Sequence, residues 1–402
     1  MTVLFEKSIA EGRIKAPPSK SMAHRYLICA AFSNKSEVCG IADSKDITAT
    51  LEGLKSLGAT TETIGDTVII GSLDINKSPK NNVINCHESG STLRFLIPIC
   101  LLYGKKITLI GSERLFERSL SVYEQICKSQ GLYFKVNSNS VTVNGKLSSG
   151  KYTVRGDISS QFISGLMFAL CQLEGDSIIE IEGKLESAPY LTMTVKALAK
   201  FGVRVSRVDE RTIYIKGNQR FKDNTVKVEG DYSNAAFLDA FNLFGGKVSV
   251  SGLSKNTAQG DSVYKDYFLS LKQGKPKIDL SDCPDLAPIL MAVAAANHGA
   301  VFTGTARLKI KESDRGEVMK EELSKFGCTV KTEDNKITVY KSKLHTPVVR
   351  LCGHNDHRIV MALSVLASNL GGEIEGVEAV SKSFPDFFSK ISKLGVKYKV
   401  IN

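Results

Sequence analysis

A short motif recurs six times along this chain of 402 residues: a helical stretch in which a lysine precedes a glycine by two or three positions. The intervals between the glycines are 73, 71, 72, 53 and 68 residues, and a period of this length indicates one supersecondary unit repeated six times. Each glycine suits a left-handed helix C-cap, where the lysine faces the negative end of the dipole. The six glycines are Gly58, Gly131, Gly202, Gly274, Gly327 and Gly395.

Each unit is predicted to combine two helices with an alternating hairpin and further short strands. Hairpins with a period of two follow the first three glycines and Gly327, whereas a single strand at 277–280 follows Gly274. Short strands are predicted at 82–85, 152–154, 225–228 and 348–351. Helices at 26–32, 95–102, 166–170, 289–296 and 359–367 are apolar nearly all round, which predicts that they are buried.

The composition excludes several classes of protein. Charged residues make up 24% and hydrophobic residues 42%, and no apolar run has the roughly 18 residues of a membrane span. The N-terminus lacks the apolar region of a signal peptide. Nine cysteines without a C-x-x-C pair predict reduced thiols in the cytoplasm. The net charge of +11 predicts an anionic partner, and the absence of tryptophan favours small phosphorylated or carboxylated substrates over nucleic acid.

The unusual polar residues lie at predicted helix N-termini, where unpaired N–H groups bind anions. Serine and aspartate there are also ordinary caps, but Lys20, Arg25 and Arg94 oppose the helix dipole and indicate a bound anion. The densest cluster is Lys311-Glu312-Ser313-Asp314-Arg315, before a helix predicted at 317–326, with Ser313 as the expected cap. Lysine, glutamate and arginine so close together can hold a phosphate and supply a proton donor.

In order along the chain, six motifs resemble those of the 5-enolpyruvylshikimate-3-phosphate synthase family, and the match runs from about residue 13 to residue 390. They are Lys20-Ser21 with Arg25, Gly90 with Arg94, Ser159-Ser160-Gln161, Lys311 to Arg315, Asn355-Asp356-His357-Arg358, and Lys382-Ser383-Phe384-Pro385-Asp386. The resemblance implies an α/β (α+β) fold of two similar domains, each with three βαββαβ repeats, buried parallel helices and outer mixed sheets, an inside-out α/β barrel. It implies domains at 14–223 and at 1–13 with 224–402, hinges near 13–15 and 222–226, and an active site in the cleft between them.

The resemblance also implies an activity: transfer of the enolpyruvyl group of phosphoenolpyruvate to the 5-hydroxyl of shikimate 3-phosphate, with release of phosphate. This is a step of the shikimate pathway to chorismate and the aromatic amino acids. The implied catalytic residues are the base Asp285, the proton donor Glu312, Lys20, Lys311 and His357. Those implied to bind shikimate 3-phosphate are Lys20, Ser21, Arg25, Ser159, Ser160, Gln161, Ser187, Tyr190, Asp285 and Lys311; for phosphoenolpyruvate they are Lys20, Gly90, Arg118, Gln161, Arg315, Arg358 and Lys382. The resemblance implies no metal, no organic cofactor, no nucleic-acid or membrane partner, and a cytoplasmic monomer.

Two residues depart from the family pattern. Glu88 and Arg307 both stand where asparagine is usual. Gly90 leaves room for glyphosate and predicts sensitivity to it, whereas a carboxylate at position 88 would repel phosphate. The pair His354-x-x-His357 is a weak metal pattern, since no acidic or cysteine partner lies at a useful spacing.

Two alternatives stay open. A UDP-N-acetylglucosamine enolpyruvyl transferase would share the repeats, but it typically has Lys-Asn in place of Lys20-Ser21 and a reactive loop cysteine, and no cysteine lies between Cys100 and Cys127. A basic repeat protein that binds RNA would show strongly salt-dependent binding and would leave Asp285 and Glu312 without a role.

Overall fold

The computed structural model describes residues 1–401, whose contacts divide the chain into two compact units. Unit A comprises Pro18–Glu229, and unit B combines Met1–Pro17 with the chain from Gly230 onward. The predicted hinges near residues 13–15 and 222–226 stay a prediction, because a hinge is defined by two conformations. No helix within residues 1–401 has both the length and the apolar character needed to span a bilayer.

Residues 1–401 form 22 strands: β1 (Thr2–Phe5), β2 (Glu11–Lys15), β3 (Ser36–Cys39), β4 (Thr60–Ile64), β5 (Thr67–Gly71), β6 (Val83–Asn85), β7 (Ile107–Ile110), β8 (Tyr133–Asn137), β9 (Ser140–Asn144), β10 (Lys151–Arg155), β11 (Ser177–Glu182), β12 (Val205–Arg207), β13 (Thr212–Ile215), β14 (Thr225–Lys227), β15 (Lys247–Ser251), β16 (Lys277–Asp279), β17 (Gly299–Thr303), β18 (Val330–Glu333), β19 (Lys336–Tyr340), β20 (Leu351–Cys352), β21 (Gly372–Glu375) and β22 (Tyr398–Ile401).

The same residues form 13 α-helices: α1 (Lys20–Ala31), α2 (Lys45–Leu57), α3 (Gly90–Cys100), α4 (Glu113–Glu117), α5 (Ser121–Ser129), α6 (Ser160–Leu170), α7 (Ala188–Lys200), α8 (Tyr232–Asp239), α9 (Tyr264–Gln273), α10 (Ala287–Ala296), α11 (Arg315–Lys325), α12 (His357–Leu370) and α13 (Phe387–Lys393). Short 3-10 helices cover Ala240–Phe244, Gly260–Val263, Pro284–Leu286, Ala306–Ile310 and Val377–Lys382.

Unit A contains three four-stranded sheets of one design, in the orders β14-β3-β5-β4, β6-β7-β9-β8 and β10-β11-β13-β12. In each sheet the first two strands are parallel, and the remaining pairs are antiparallel. Helices α1, α3 and α6 are buried on almost every side, as their apolar sequences predict. The second helix of each repeat, α2, α5 or α7, buries one face only.

Unit B repeats this design with one sheet cut short. Its sheets have the orders β16-β17-β19-β18, β20-β21-β1-β22 and β15-β2, and its buried helices are α8, α10 and α12. Strands β15 and β2 pair in parallel, and within the described residues no hairpin extends them. The missing hairpin is the one absent after Gly274, and it explains the short fourth interval of the repeat.

The N-terminal strands complete unit B. In the sheet β20-β21-β1-β22, strand β1 pairs antiparallel with both β21 and β22. Strands from the two ends of the chain thus form the antiparallel pair that replaces a hairpin in the sixth repeat. Strand β2 leads into α1 but pairs with β15, and β14 leads into α8 but pairs with β3. The chain therefore crosses from one unit to the other twice.

Two local predictions are wrong. Five of the six glycines have the expected positive φ, between 65° and 119°, but Gly274 has an extended φ of 179°. Helix α9 there runs into the single strand β16 without a hairpin, so the chain makes no left-handed reversal. The strand predicted at 348–351 is only Leu351–Cys352, because Val348 is 92% exposed and pairs with no neighbouring strand within residues 1–401.

Candidate active site

The buried helices of unit B begin with acidic residues. Asp231 caps α8 by accepting a hydrogen bond from Asn234 N, and Asp356 caps α12 by accepting one from Arg358 N. Asp285 lies in the 3-10 turn that leads into α10. In a parallel βαβ unit the helix starts near the carboxyl end of its first strand, so repeated units bring such helix starts to the same end of the fold.

Arg315 is the centre of the cluster in unit B. It is the first residue of α11 and is 1% exposed. Its Nε donates to Asp356 Oδ2 at 2.8 Å, Nη1 to Asp285 Oδ1 at 2.9 Å and Nη2 to Glu312 Oε2 at 2.8 Å. Burial alone would lower the pKa of this guanidinium, but the carboxylates around it raise the pKa, so it stays charged.

Asp285 accepts hydrogen bonds from three cations. Besides Arg315, Lys311 Nζ lies 3.2 Å from Oδ1, and Arg358 Nη2 lies 2.9 Å from Oδ2. The carboxylate retains some exposure, with 18% of the side chain open to solvent. The cluster thus holds a carboxylate beside several cations in a mostly buried place, where charges interact more strongly than in water.

The environment shifts the pKa of the other two cations. Burial lowers the pKa of Lys311 to about 8, with Asp285 opposing the shift and Arg315 and Arg307 adding to it. Burial would also lower the pKa of Arg358, but the nearby carboxylates, Asp285 first, raise it. Lys311 can therefore exchange a proton near neutral pH, whereas Arg358 remains a fixed positive charge.

Arg358 has unused hydrogen-bonding capacity. It is 4% exposed, and within residues 1–401 its Nε and Nη1 have no hydrogen-bond partner. Since an unsatisfied buried donor is costly, a bound oxyanion is the natural partner for these atoms. Lys382, also buried, donates to Asn355 O, and the buried His357 has Nδ1 3.9 Å from Asp356 Oδ1.

In unit A, Arg25 is the sixth residue of α1. It is 2% exposed, and burial lowers its pKa to about 10. Its Nε donates to Thr194 Oγ1 at 2.8 Å, Nη1 to Ser21 O at 2.7 Å and Nη2 to Tyr190 O at 3.2 Å. The guanidinium is thereby fixed against α7, which also carries Tyr190.

Other predicted residues of unit A lie at neighbouring helix starts. Gln161 is held by Arg94 Nη1, which donates to Oε1 at 2.8 Å, and by Ser91 Oγ, which accepts from Nε2 at 2.9 Å. A Cβ on Gly90 would lie 2.8 Å from Arg118 Nη1, so the guanidinium packs directly on the glycine. Within the described part of the chain, Arg118 Nε has no hydrogen-bond partner.

The remaining predicted residues are also placed at helix starts. Lys20, the first residue of α1, forms an ion pair of 2.7 Å with Asp46. Ser159 caps α6, and Ser160 is its first residue. Ser187 precedes α7 with a left-handed φ of 59°. These residues all belong to unit A, whereas Asp285, Lys311, Glu312, Arg315, His357, Arg358 and Lys382 belong to unit B.

Sequence reasoning missed two acidic partners. Asp356 stood inside a recognised motif but received no role, although it binds Arg315 through both oxygens. Asp46, the partner of Lys20, gave no signal, because an aspartate in the first turn of a helix looks like an ordinary cap. The expected cap Ser313 was wrong: Asp314 caps α11, and Ser313 Oγ donates to Asp356 instead.

One group of side chains has the composition of a metal site. Glu321, Glu322 and His354 place ligand atoms within 4.8 Å of one another, so the structure supplies the acidic partner of His354 that sequence spacing did not show. Glu322 Oε1, however, already accepts from Lys325 Nζ at 2.7 Å and contacts His354 Nε2 at 2.9 Å. The lysine neutralises the carboxylate that a cation would require.

Known proteins match this chain over nearly its whole length. The family model described as EPSP synthase (3-phosphoshikimate 1-carboxyvinyltransferase) matches residues 6–391. A 3-phosphoshikimate 1-carboxyvinyltransferase of Clostridium kluyveri is 41% identical over 407 residues, covering 96% of this chain and 95% of its own, and one of Clostridioides difficile is 38% identical over 416 residues with the same coverage. The EPSP synthase structure from Acinetobacter baumannii has a TM-score of 0.80 at 20% identity, covers both chains completely, and confirms the predicted fold class.

Proposed function

This chain belongs to the EPSP synthase, or 3-phosphoshikimate 1-carboxyvinyltransferase, family, and we propose that it transfers the enolpyruvyl group of phosphoenolpyruvate to the 5-hydroxyl of shikimate 3-phosphate, with release of phosphate. The observation that carries this proposal is the cluster around Arg315, in which an acid–base pair, Asp285 and Glu312, shares one guanidinium. The proposal extends to a monomer and to a location in the cytoplasm, and the nine free cysteines favour that reducing compartment.

The reaction needs a base and an acid in fixed positions. The 5-hydroxyl oxygen forms a bond to C2 of phosphoenolpyruvate while its proton passes to Asp285, and Glu312 gives a proton to the methylene carbon C3. The resulting tetrahedral adduct then loses phosphate from C2 and a proton from C3, which restores the double bond. In these steps Asp285 acts as a carboxylate and Glu312 as a protonated carboxyl group, which takes back the proton that C3 loses. Two acidic side chains on one arginine thus supply the two opposite proton-transfer roles.

The anionic groups of the substrates need cations that remain charged. In unit B, Arg315, Arg358 and Lys382 are proposed to hold phosphoenolpyruvate, and the open donors of Arg358 are suited to an oxyanion. In unit A, the phosphoenolpyruvate residues are Lys20, Gly90, Arg118 and Gln161. Residues proposed to bind shikimate 3-phosphate are Lys20, Ser21, Arg25, Ser159, Ser160, Gln161, Ser187, Tyr190, Asp285 and Lys311. Lys20 and His357 complete the proposed catalytic set.

Phosphate release is the decisive assay. We expect the chain to release phosphate from phosphoenolpyruvate when shikimate 3-phosphate is supplied, and not when UDP-N-acetylglucosamine is supplied. Turnover with only the second acceptor would assign the chain to the alternative enolpyruvyl transferase reaction. No turnover with either acceptor would refute the proposed function.

The acid–base roles have their own test. Asp285→Asn and Glu312→Gln are each expected to lower kcat by about 10²- to 10⁴-fold, the usual contribution of general acid–base catalysis. Phosphoenolpyruvate should still bind to Asp285→Asn, because the three cations lose a competing carboxylate. The matched controls are the exposed Asp282→Asn and Glu317→Gln, which should keep normal turnover. Near-normal kcat in either site variant would remove that residue from the proposed mechanism.

A further inference from the structure

The turn that leads into α12 has an unusual backbone conformation. His354 and Asn355 have φ values of 47° and 51°, in the left-handed region that residues other than glycine seldom adopt. Two such residues in succession store strain, and a strained turn persists only where surrounding contacts fix it. The contacts on either side of this turn therefore show what keeps it in this conformation and which residues it positions.

Glu322 fixes the turn on one side. Its carboxylate is fully buried in the second half of α11, where Oε1 lies 2.9 Å from His354 Nε2 and Oε2 accepts from Cys352 N at 3.0 Å. Lys325 Nζ, 2.7 Å from Oε1, balances the charge. A buried carboxylate with this many partners cannot shift without losing hydrogen bonds, so it is a rigid anchor.

On its other side, the turn contacts two of the residues proposed above to bind phosphoenolpyruvate. Asn355 O accepts from Lys382 Nζ. Asp356, which follows in the chain, binds Arg315 through Nε and Nη2 and caps α12. Both cations are among those proposed above to hold phosphoenolpyruvate. The turn thus lies between a buried anchor and two substrate-binding cations.

We propose that Glu322 and His354 act as a positioning pair for phosphoenolpyruvate. Their hydrogen bond fixes the strained turn, and the turn fixes Lys382 and Arg315. Helix α11 holds both ends of this arrangement, since Arg315 is its first residue and Glu322 lies two turns further on. The inference deepens the proposed function and rests on it, and it assigns a role to a histidine that sequence reasoning considered only as part of a weak metal pattern.

The test is the substitution His354→Asn. Asparagine tolerates a positive φ better than most residues, so this variant keeps the backbone preference but removes the ring that reaches Glu322. We expect the KM for phosphoenolpyruvate to rise about tenfold, since small displacements of positioning groups are costly. The KM for shikimate 3-phosphate should change less than about twofold, because Lys382 and Arg315 are not among its ten proposed ligands and only one of those ligands, Asp285, binds Arg315.

A purely structural role predicts a different result. Partial unfolding reduces the amount of active enzyme, which lowers the apparent kcat and leaves both KM values unchanged. A fall in kcat alone, equal rises in both KM values, or no change in the KM for phosphoenolpyruvate would each overturn the positioning role. Glu322→Gln should show the same selective rise, and if that buried variant fails to fold, His354→Asn alone decides.

The matched control is Glu321→Gln. Glu321 is the neighbouring glutamate of α11, is largely exposed and contacts Lys325 only at 3.6 Å, so both KM values should stay normal. Calorimetric titration of phosphoenolpyruvate into the wild-type chain and His354→Asn separates this inference from the proposed function. A wild type that binds but does not turn over refutes the function alone, while equal affinity of wild type and variant refutes the positioning role. A wild type that neither binds nor turns over refutes both.

Discussion

The pKa of Lys311 depends on its burial and on the charged residues around it. Burial and two arginines lower its pKa to about 8, against an opposing contribution from Asp285. If the charged form serves the reaction beside the shikimate hydroxyls, kcat/KM for shikimate 3-phosphate should fall as the pH rises through about 8, since the ammonium is present only below that value. A pH–rate profile from pH 6 to about 10 measures this alkaline limb.

A neighbouring residue provides the control for this prediction. Arg307→Gln removes a cation that lowers the pKa of Lys311, so the alkaline limb should move to higher pH. Lys311→Arg should abolish the limb over the same range, because a guanidinium does not titrate there. A limb that stays in place in both variants would mean that another group titrates.

A methyl group added at Gly90 would contact one residue, Arg118. The Cβ of an alanine would lie 2.8 Å from Arg118 Nη1 and 3.1 Å from Arg118 Cζ, so the guanidinium has to move. Because Arg118 is one of the residues proposed for phosphoenolpyruvate, Gly90→Ala should raise the KM for phosphoenolpyruvate about tenfold. Steady-state kinetics with each substrate varied in turn test this, and an unchanged KM for phosphoenolpyruvate would show that the displaced arginine does not bind it.

At the scale of elements, local patterns predicted most of the architecture. The four hairpins and the buried helices were predictable because the periodicity of strands and the apolar character of buried helices lie within ten or so residues. The antiparallel strand pair of the sixth repeat leaves no local pattern, since β22 and β1 come from opposite ends of the chain. Gly274 was misjudged because its lysine-glycine motif is the same as the others, whereas its φ depends on the direction in which the chain leaves the helix toward β16.

The difference between the glycines has a measurable consequence for stability. Gly395 has a φ of 89°, so Gly395→Ala should lower the free energy of unfolding by about 1 to 2 kcal/mol, the cost of a side chain in the left-handed region. Gly274→Ala is the matched control, because φ is extended and a Cβ there would meet nothing within 4 Å. It should leave stability unchanged or raise it by up to about 1 kcal/mol. Chemical denaturation compares them, and equal losses would contradict this conformational explanation.

At the scale of the whole molecule, the sequence predicted candidate functional residues but not the side chains that bind them. The motifs named Arg315 and Lys20 as candidates because of their charge and position. Their partners Asp356 and Asp46 lie 41 and 26 residues away, and only the folded repeats bring those side chains together. The partner of His354 was hidden for the same reason, since Glu322 is 32 residues earlier in the chain.

The first strand offers a test of how the chain is divided. Phe5 in β1 is 2% exposed, and its ring lies about 6 Å from those of Phe388 and Tyr398, near the C-terminus. Phe5→Ala should destabilise unit B by about 3 to 5 kcal/mol, the usual cost of removing a buried phenyl ring. Hydrogen exchange should then show faster exchange in β21, β22 and α12, while amides of α3 and α6 keep their protection.

The control for this prediction lies in the same segment. Ile9 is 58% exposed, so Ile9→Ala should leave exchange unchanged throughout the chain. If Phe5→Ala instead released α3 and α6 first, residues 1–17 would stabilise unit A, and the division of the chain would have to be redrawn. Selective loss of protection in unit B would mean that the first strand stabilises the half of the chain furthest from it in sequence.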